Sequence, residues 1–119
     1  MSKAKQKGTL AETAVVQYLK SFFPRAERRP LYGVHDMGDI TGVPHVVFEV
    51  KNQRIYKIPA WIKETEIERN NAKATFGILI VKPNGIGVSK VEEWWAIVPL
   101  SQMVELLQKA ESSVEGLSS

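Results

Sequence analysis

Two apolar runs, Val46-Val47-Phe48-Glu49-Val50-Lys51 and Thr75-Phe76-Gly77-Ile78-Leu79-Ile80-Val81-Lys82, lie one helix-length apart in the chain. Pro59 between them suits the first turn of a helix running to about Lys73, with Ile58, Ile62 and Ile67 turned to the core. A strand, a helical crossover and a second strand imply parallel pairing at the centre of a sheet. The second run is apolar throughout, as expected of a strand covered on both faces. The first run is not. Side chains alternate along a strand, so Glu49 and Lys51 share one face while Phe48 and Val50 share the other. Opposite charges in a β-branched strand are costly to desolvate unless they are paired or hold a metal. On these six residues alone, an ordinary ion pair accounts for them.

The rest of the chain fits around this unit. Thr9-Leu10-Ala11-Glu12 has capping-box spacing and opens a helix whose apolar residues are Leu10, Ala14, Val15, Tyr18, Leu19 and Phe22, ended by Pro24. Residues 26–32 suit a short strand broken by Pro30, and Gly33, Gly38 and Gly42 punctuate a bend around Asp39. Pro83-Asn84-Gly85 signals a turn, and residues 93–99 read as another strand. Ser101 caps a final amphipathic helix carrying Met103, Val104, Leu106 and Leu107. The result is α/β, a mixed central sheet flanked by helices. Residues 1–7 read as a flexible basic arm, 8–110 as a single domain and 111–119 as a frayed tail.

Composition narrows the chemistry. The chain has no cysteine, which removes disulfides, thiolate metal sites and cysteine nucleophiles. Two histidines, His35 and His45, lack paired ligand spacing, so any metal here takes oxygen ligands and is of the magnesium, manganese or calcium kind. No apolar stretch approaches the ~20 residues of a membrane span, and the N-terminus lacks a signal core, so a cytoplasmic protein is expected. Residues 1–63 carry 11 basic and five acidic side chains, against five and eight in residues 64–119. Three of the five early acids are Glu12, Asp39 and Glu49. What remains of that half is almost uniformly basic, which suits either a polyanionic partner or a solvated basic face.

The acids and the lysine form a pattern. Asp39 sits in Gly38-Asp39-Ile40 ahead of the strand that bears Glu49 and Lys51. Glu12 is open to two readings, a solvent-facing capping-box residue or a group bordering the buried stripe of the first helix. A phosphodiester gains negative charge in its transition state, and a divalent ion beside an ammonium stabilises it. Asp36 reads as a loop acid. Trp94 and Trp95 fall on opposite sheet faces, one in the core, the other suited with Trp61 to a subunit interface.

The set Lys7-Gly8-Thr9-x-x-Glu12, Gly38-Asp39-Ile40 and Glu49-Val50-Lys51 resembles the PD-(D/E)XK nuclease superfamily, and within it the archaeal-type and bacteriophage Holliday junction resolvases. The resemblance spans residues 7 to about 100, with Gly38 where the motif has proline. It implies a restriction-endonuclease-like αβββαβ core and a structure-selective DNA endonuclease making paired nicks in a four-way junction as a homodimer. Asp39, Glu49, the main-chain carbonyl of Val50 and Glu12 would hold Mg2+, with Mn2+ able to substitute. Lys51 would orient or deprotonate the attacking water. Lys3, Lys5, Lys7, Arg25, Arg28, Arg29, Gln53, Arg54 and Lys57 would contact DNA. Other expectations also fit the residues: a nuclease for flaps, mismatches or duplex, a non-catalytic DNA-binding protein on the same fold, or an unrelated α/β binding module.

Overall fold

The computed structural model describes residues 2–30 and 37–118, with side chains described to residue 113. Asp36, His35 and the end of the expected strand at 26–32 lie outside the described residues. The elements are α1 (Lys3–Leu19), β1 (Glu27–Arg28), β2 (Ile40–Thr41), β3 (Val46–Lys51), α2 (Ile58–Ala72), β4 (Phe76–Val81), β5 (Trp95–Ile97) and α3 (Leu100–Ser118). Short 3-10 turns over Val88–Glu93, broken at Lys90, replace the start of the strand expected at 93–99. The fold is mixed α/β with one five-stranded sheet in the order β1-β2-β3-β4-β5. Only β3 and β4 run parallel, with Val46 opposite Phe76 and Lys51 opposite Val81, and α2 carries the chain between them.

The alternation in β3 divides the core. Phe48 and Val50 pack with Ala11, Val15 and Val16 of α1 and with Ile40 and Trp94. Under α2, Trp61 packs with Leu79 and Val81. Trp61 is therefore core and not interface, while Trp95 is the exposed tryptophan, edge-on to Tyr56 at 5.7 Å between ring centres. The helices sit slightly rotated from their expected faces. In α1 the buried residues are Ala11, Val15 and Val16, leaving Leu10 and Tyr18 exposed, as is Phe22 just beyond its end. In α2 they are Trp61, Thr65 and Glu68, leaving Ile67 exposed. Small and β-branched residues allow α1 to approach the sheet closely, and the larger side chains are displaced to its flanks.

Helix ends differ too, for local reasons. α1 begins at Lys3 because the Ser2 hydroxyl accepts the Lys5 N–H at 3.2 Å, a cap seven residues upstream of the expected one. Residues 3–7 are thus the first turns of a helix rather than a flexible arm, and Asn52 ties them to the end of β3 by donating to the Lys7 carbonyl at 3.1 Å. α1 stops at Leu19, ahead of Pro24, where the Leu19 carbonyl accepts from both Phe22 and Phe23 N–H. α3 starts one residue before Ser101 and runs on through the expected tail. Gln102 anchors it, accepting the Gly77 N–H at 2.8 Å and donating to Glu66. Leu100, Met103, Val104 and Leu107 of the same helix remain exposed.

Gly38 sits at a point where local geometry admits no other residue. Its φ of 94° lies outside what proline can adopt, and a Cβ there would stand 2.7 Å from Val47 Cγ1 and 2.9 Å from the Phe48 carbonyl oxygen. The chain passes so close to β3 at this point that only glycine fits. That approach sets Asp39 against the strand: its own N–H donates to the Phe48 carbonyl at 2.8 Å.

Candidate active site

β3 is the spine of the site. Its C-terminal end opens into a cleft of about 600 Å3, walled by Lys7, Gly8 and Glu12 from α1, by Asp39, and by the run Glu49 to Arg54. Glu12, Asp39, Glu49 and Lys51 come from three separate stretches of chain and meet here. Of the basic and polar residues expected to contact DNA, Lys7, Gln53 and Arg54 line the same cleft. Arg28 reaches it by donating from Nε to Glu12 Oε1 at 3.2 Å. Lys3, Lys5, Arg25 and Lys57 do not line it, and Arg29 lines a different hollow.

Glu12 is inside α1 and not at its start, so the capping-box reading does not hold. It faces the cleft, and its charge acts on Asp39. Asp39 itself is fixed by the Val50 N–H, which donates to Oδ2 at 2.7 Å. Burial pushes the Asp39 carboxyl up to about 8, helped by the charge of Glu49 and then of Glu12, while the Val50 hydrogen bond pulls the other way. Glu49 is only 5% exposed. Burial, the hydrogen-bonded Glu68 and its charge push its carboxyl to about 9, against the opposing pull of Lys51. Glu49 Oε2 is buried and has no hydrogen-bond partner among the described residues.

Two residues that the sequence pattern did not single out join this group. Glu64 and Glu68, one turn apart on α2, bring carboxylate oxygens to within 4.8 Å of each other and of Glu49. Glu68 is 1% exposed, as buried as the core residues around it. The signal was present in the spacing: Trp61, Glu64, Thr65 and Glu68 recur at helical intervals, and α2 had to lay some face on the Glu49–Lys51 side of β3. An apolar reading of that face through Ile58, Ile62 and Ile67 hid the acids.

Lys51 is clamped between carboxylates, 3.4 Å from Glu49 Oε1 and 3.0 Å from Glu64 Oε2. Burial alone would lower its pKa. The Glu64 hydrogen bond and the charges of Glu49 and Glu64 outweigh it, and the ammonium titrates above its ordinary value. Held between two carboxylates, the ammonium is placed to orient groups and to stabilise charge in the cleft.

The donor set fits a hard divalent cation. It is all oxygen, Asp39 and Glu49 are held well above their normal pKa chiefly by burial, and a buried Glu49 oxygen has no hydrogen-bond partner among the described residues. A cation supplies what such a cluster lacks, since it stabilises the ionised forms that burial disfavours. No family model matches the chain, and neither the curated proteins nor the solved structures yield a match.

Proposed function

We propose that this protein is a magnesium-dependent endodeoxyribonuclease of the PD-(D/E)XK type, with the restriction-endonuclease-like αβββαβ arrangement as its core, and that its substrate is a four-way DNA junction. The observation that carries the reading is the meeting of Glu12, Asp39, Glu49 and Lys51 in one cleft beside Lys7, Gln53 and Arg54. Asp39, Glu49 and the main chain of Val50 would hold Mg2+, or Mn2+ in its place, with Glu12 beside them. The bound ion supplies Lewis acidity and lowers the pKa of coordinated water.

The protein's own part is positioning and charge. The Lys51 ammonium faces the oxygens on which negative charge grows as water adds to phosphorus. Glu64 and Glu49 hold it in place. Lys7 and Arg54 neutralise flanking phosphates, and Gln53 is a hydrogen-bonding group at the cleft mouth. Water adds in line, the bond from phosphorus to the 3′ oxygen breaks, and that oxygen takes up a proton. The products are a 5′-phosphate and a 3′-hydroxyl, with no covalent enzyme intermediate.

A junction has two-fold symmetry, and paired nicks call for two sites related in the same way. The exposed face of α3 supports a homodimer. Leu100, Met103, Val104 and Leu107 are exposed together, and the spacing continues in the sequence at Ala110, Val114 and Leu117. Such a face is apolar area that a second helix would cover. Leu107→Glu is expected to give a monomer in sedimentation while the circular dichroism spectrum is retained; an unchanged dimer would move the interface off α3. Among the described residues no helix is long and apolar enough to cross a membrane.

The deciding assay incubates the protein with a labelled junction, and with flap, mismatched, duplex and single-stranded controls, in magnesium and in EDTA. Symmetric, magnesium-dependent nicks confined to the junction are expected. Equal cutting of duplex would make this a nuclease of another substrate class. Tight junction binding with no cleavage would make it a DNA-binding protein on a nuclease fold.

A further inference from the structure

At the opposite end of β3, where the strand begins at Val46, a second hollow of about 260 Å3 opens between the β2–β3 bend and the C-terminus of α2. A strand of six residues rises about 3.3 Å per residue, which sets this hollow roughly 17 Å from the nuclease cleft. Three of its wall residues are Arg29, His45 and Lys73, and among the described residues no carboxylate lines it.

Two further features mark it. The Arg29 Nε–H is buried and has no acceptor among the described residues. Backbone N–H and side-chain donors in native proteins rarely remain so without a water or ligand to accept from them. Positive φ also gathers here: His45 at 68° and Lys73 at 53° are the non-glycine residues with positive φ among the described residues, and Gly42 at 94° forms part of the same wall. Lys73 has an ordinary reason for its geometry as the C-cap of α2, its N–H returning to the Asn70 carbonyl. His45 follows Pro44 in a turn closed by the Val46 N–H, which donates to the Val43 carbonyl at 3.4 Å, so its positive φ too has a local cause and only brings the side chain to this wall.

The rival account is that Lys73 merely answers the negative end of the α2 dipole. That end carries about half a charge, already met in part by the cap N–H of Lys73 on the Arg69 and Asn70 carbonyls. That account leaves the Arg29 Nε–H without an acceptor among the described residues. We propose that this hollow is an oxyanion site for a phosphate group, with the Arg29 guanidinium as its directional donor and Lys73 and His45 completing the wall. The same chemistry describes free phosphate and the phosphodiester of a DNA arm that runs past the cleft, and the site does not depend on the nuclease reading.

Three proteins test it: the full chain, Arg29→Gln and Lys73→Gly. Glycine suits the positive φ of residue 73 and removes only the charged side chain, so this variant is expected to fold, and circular dichroism checks both. Inorganic phosphate is titrated against each at constant ionic strength, followed by amide NMR shifts at residues 41–46 and 72–74. Saturable shifts there, weakened roughly tenfold in either variant, give a free-phosphate site. In the second arm a duplex is titrated at several salt concentrations. A slope of log K against log salt reduced by about 1 in both variants gives a phosphodiester site. Unchanged duplex slopes together with non-saturating or variant-independent phosphate shifts would overturn the proposal. Glu49→Gln, which would silence cleavage, is expected to leave the phosphate shifts at residues 41–46 and 72–74 as they are, so failure here and failure of the nuclease reading are told apart.

Discussion

Glu49→Gln is expected to lower magnesium-dependent junction cleavage by on the order of 10^3-fold and, in the same stroke, to stabilise the metal-free protein at alkaline pH. The two effects share a cause. Glu49 is buried beside Glu68 and near Asp39, and its carboxyl is pushed up to about 9 from an ordinary 4.5. A carboxyl whose folded-state pKa lies above its unfolded value binds more protons folded than unfolded between the two. Stability then falls as pH rises through that window. The stabilising contribution is whole below about 4.5 and lost by about 9. Asp39 adds the same sign between 3.8 and about 8. The metal-free wild type is therefore expected to melt on the order of 5 °C lower at pH 8.5 than at pH 6, and magnesium is expected to recover much of the difference. Glutamine keeps the shape of the side chain without the charge, so the pH slope flattens and magnesium no longer raises the melting temperature. Calorimetric melts at pH 6, 7 and 8.5, with and without magnesium, check this. A wild type that becomes more stable from pH 6 to pH 8.5 without metal would contradict the electrostatics of the whole cluster.

How far the sequence anticipated this arrangement depended on the range of the interaction. The alternation in 46–51 placed Glu49 and Lys51 on one face correctly because period two is fixed by the backbone of a strand. The parallel pairing of β3 with β4 followed from the helix-length crossover, which is similarly a matter of geometry. The helix faces followed less well. Leu10, Tyr18, Phe22 and Ile67 all sit at helical spacing and are all exposed, because the face that packs was chosen by fit to the sheet, with Ala11, Val15 and Val16 preferred for size. Glu12 left two roles open until α1 was seen to start at Lys3, which a single serine cap at residue 2 determines. Glu64 and Glu68 were hidden for the opposite reason. Acids at intervals of four on a mostly polar helix look like solvent contacts, and only the turn of that helix onto β3 makes them neighbours of Glu49. Gly38 stands where the resembled motif has proline, and its φ and its approach to Val47 make glycine a requirement of this bend.

Lys51→Met carries the second large effect, a loss of cleavage on the order of 10^2 to 10^3-fold at saturating magnesium, with metal binding retained. Methionine preserves much of the stem volume, so the change isolates the ammonium. Lys51 lies 3.0 Å from Glu64 and 3.4 Å from Glu49, and its pKa stands above the ordinary lysine value. A lysine that acts through its charge alone supplies no basic limb to the pH profile. The wild-type dependence of cleavage on pH is thus expected to follow the acids and the bound water, and the Lys51→Met profile is expected to be lower but of the same shape. A lysine base would instead change the shape when removed. Lys51→Arg is expected to rescue little, because a planar fork cannot occupy the position of a compact ammonium held by two carboxylates. Glu64→Gln removes one of the two anchors and leaves the other, for a smaller loss of roughly tenfold that falls on turnover and not on junction affinity. Single-turnover rates across pH 6 to 9, alongside the magnesium-induced shift in melting temperature, separate these outcomes. Normal cleavage by Lys51→Met would leave its pairing with Glu49 and Glu64 as no more than an ion pair at the end of a strand, and the cleft would need another cation to meet the charge on phosphorus.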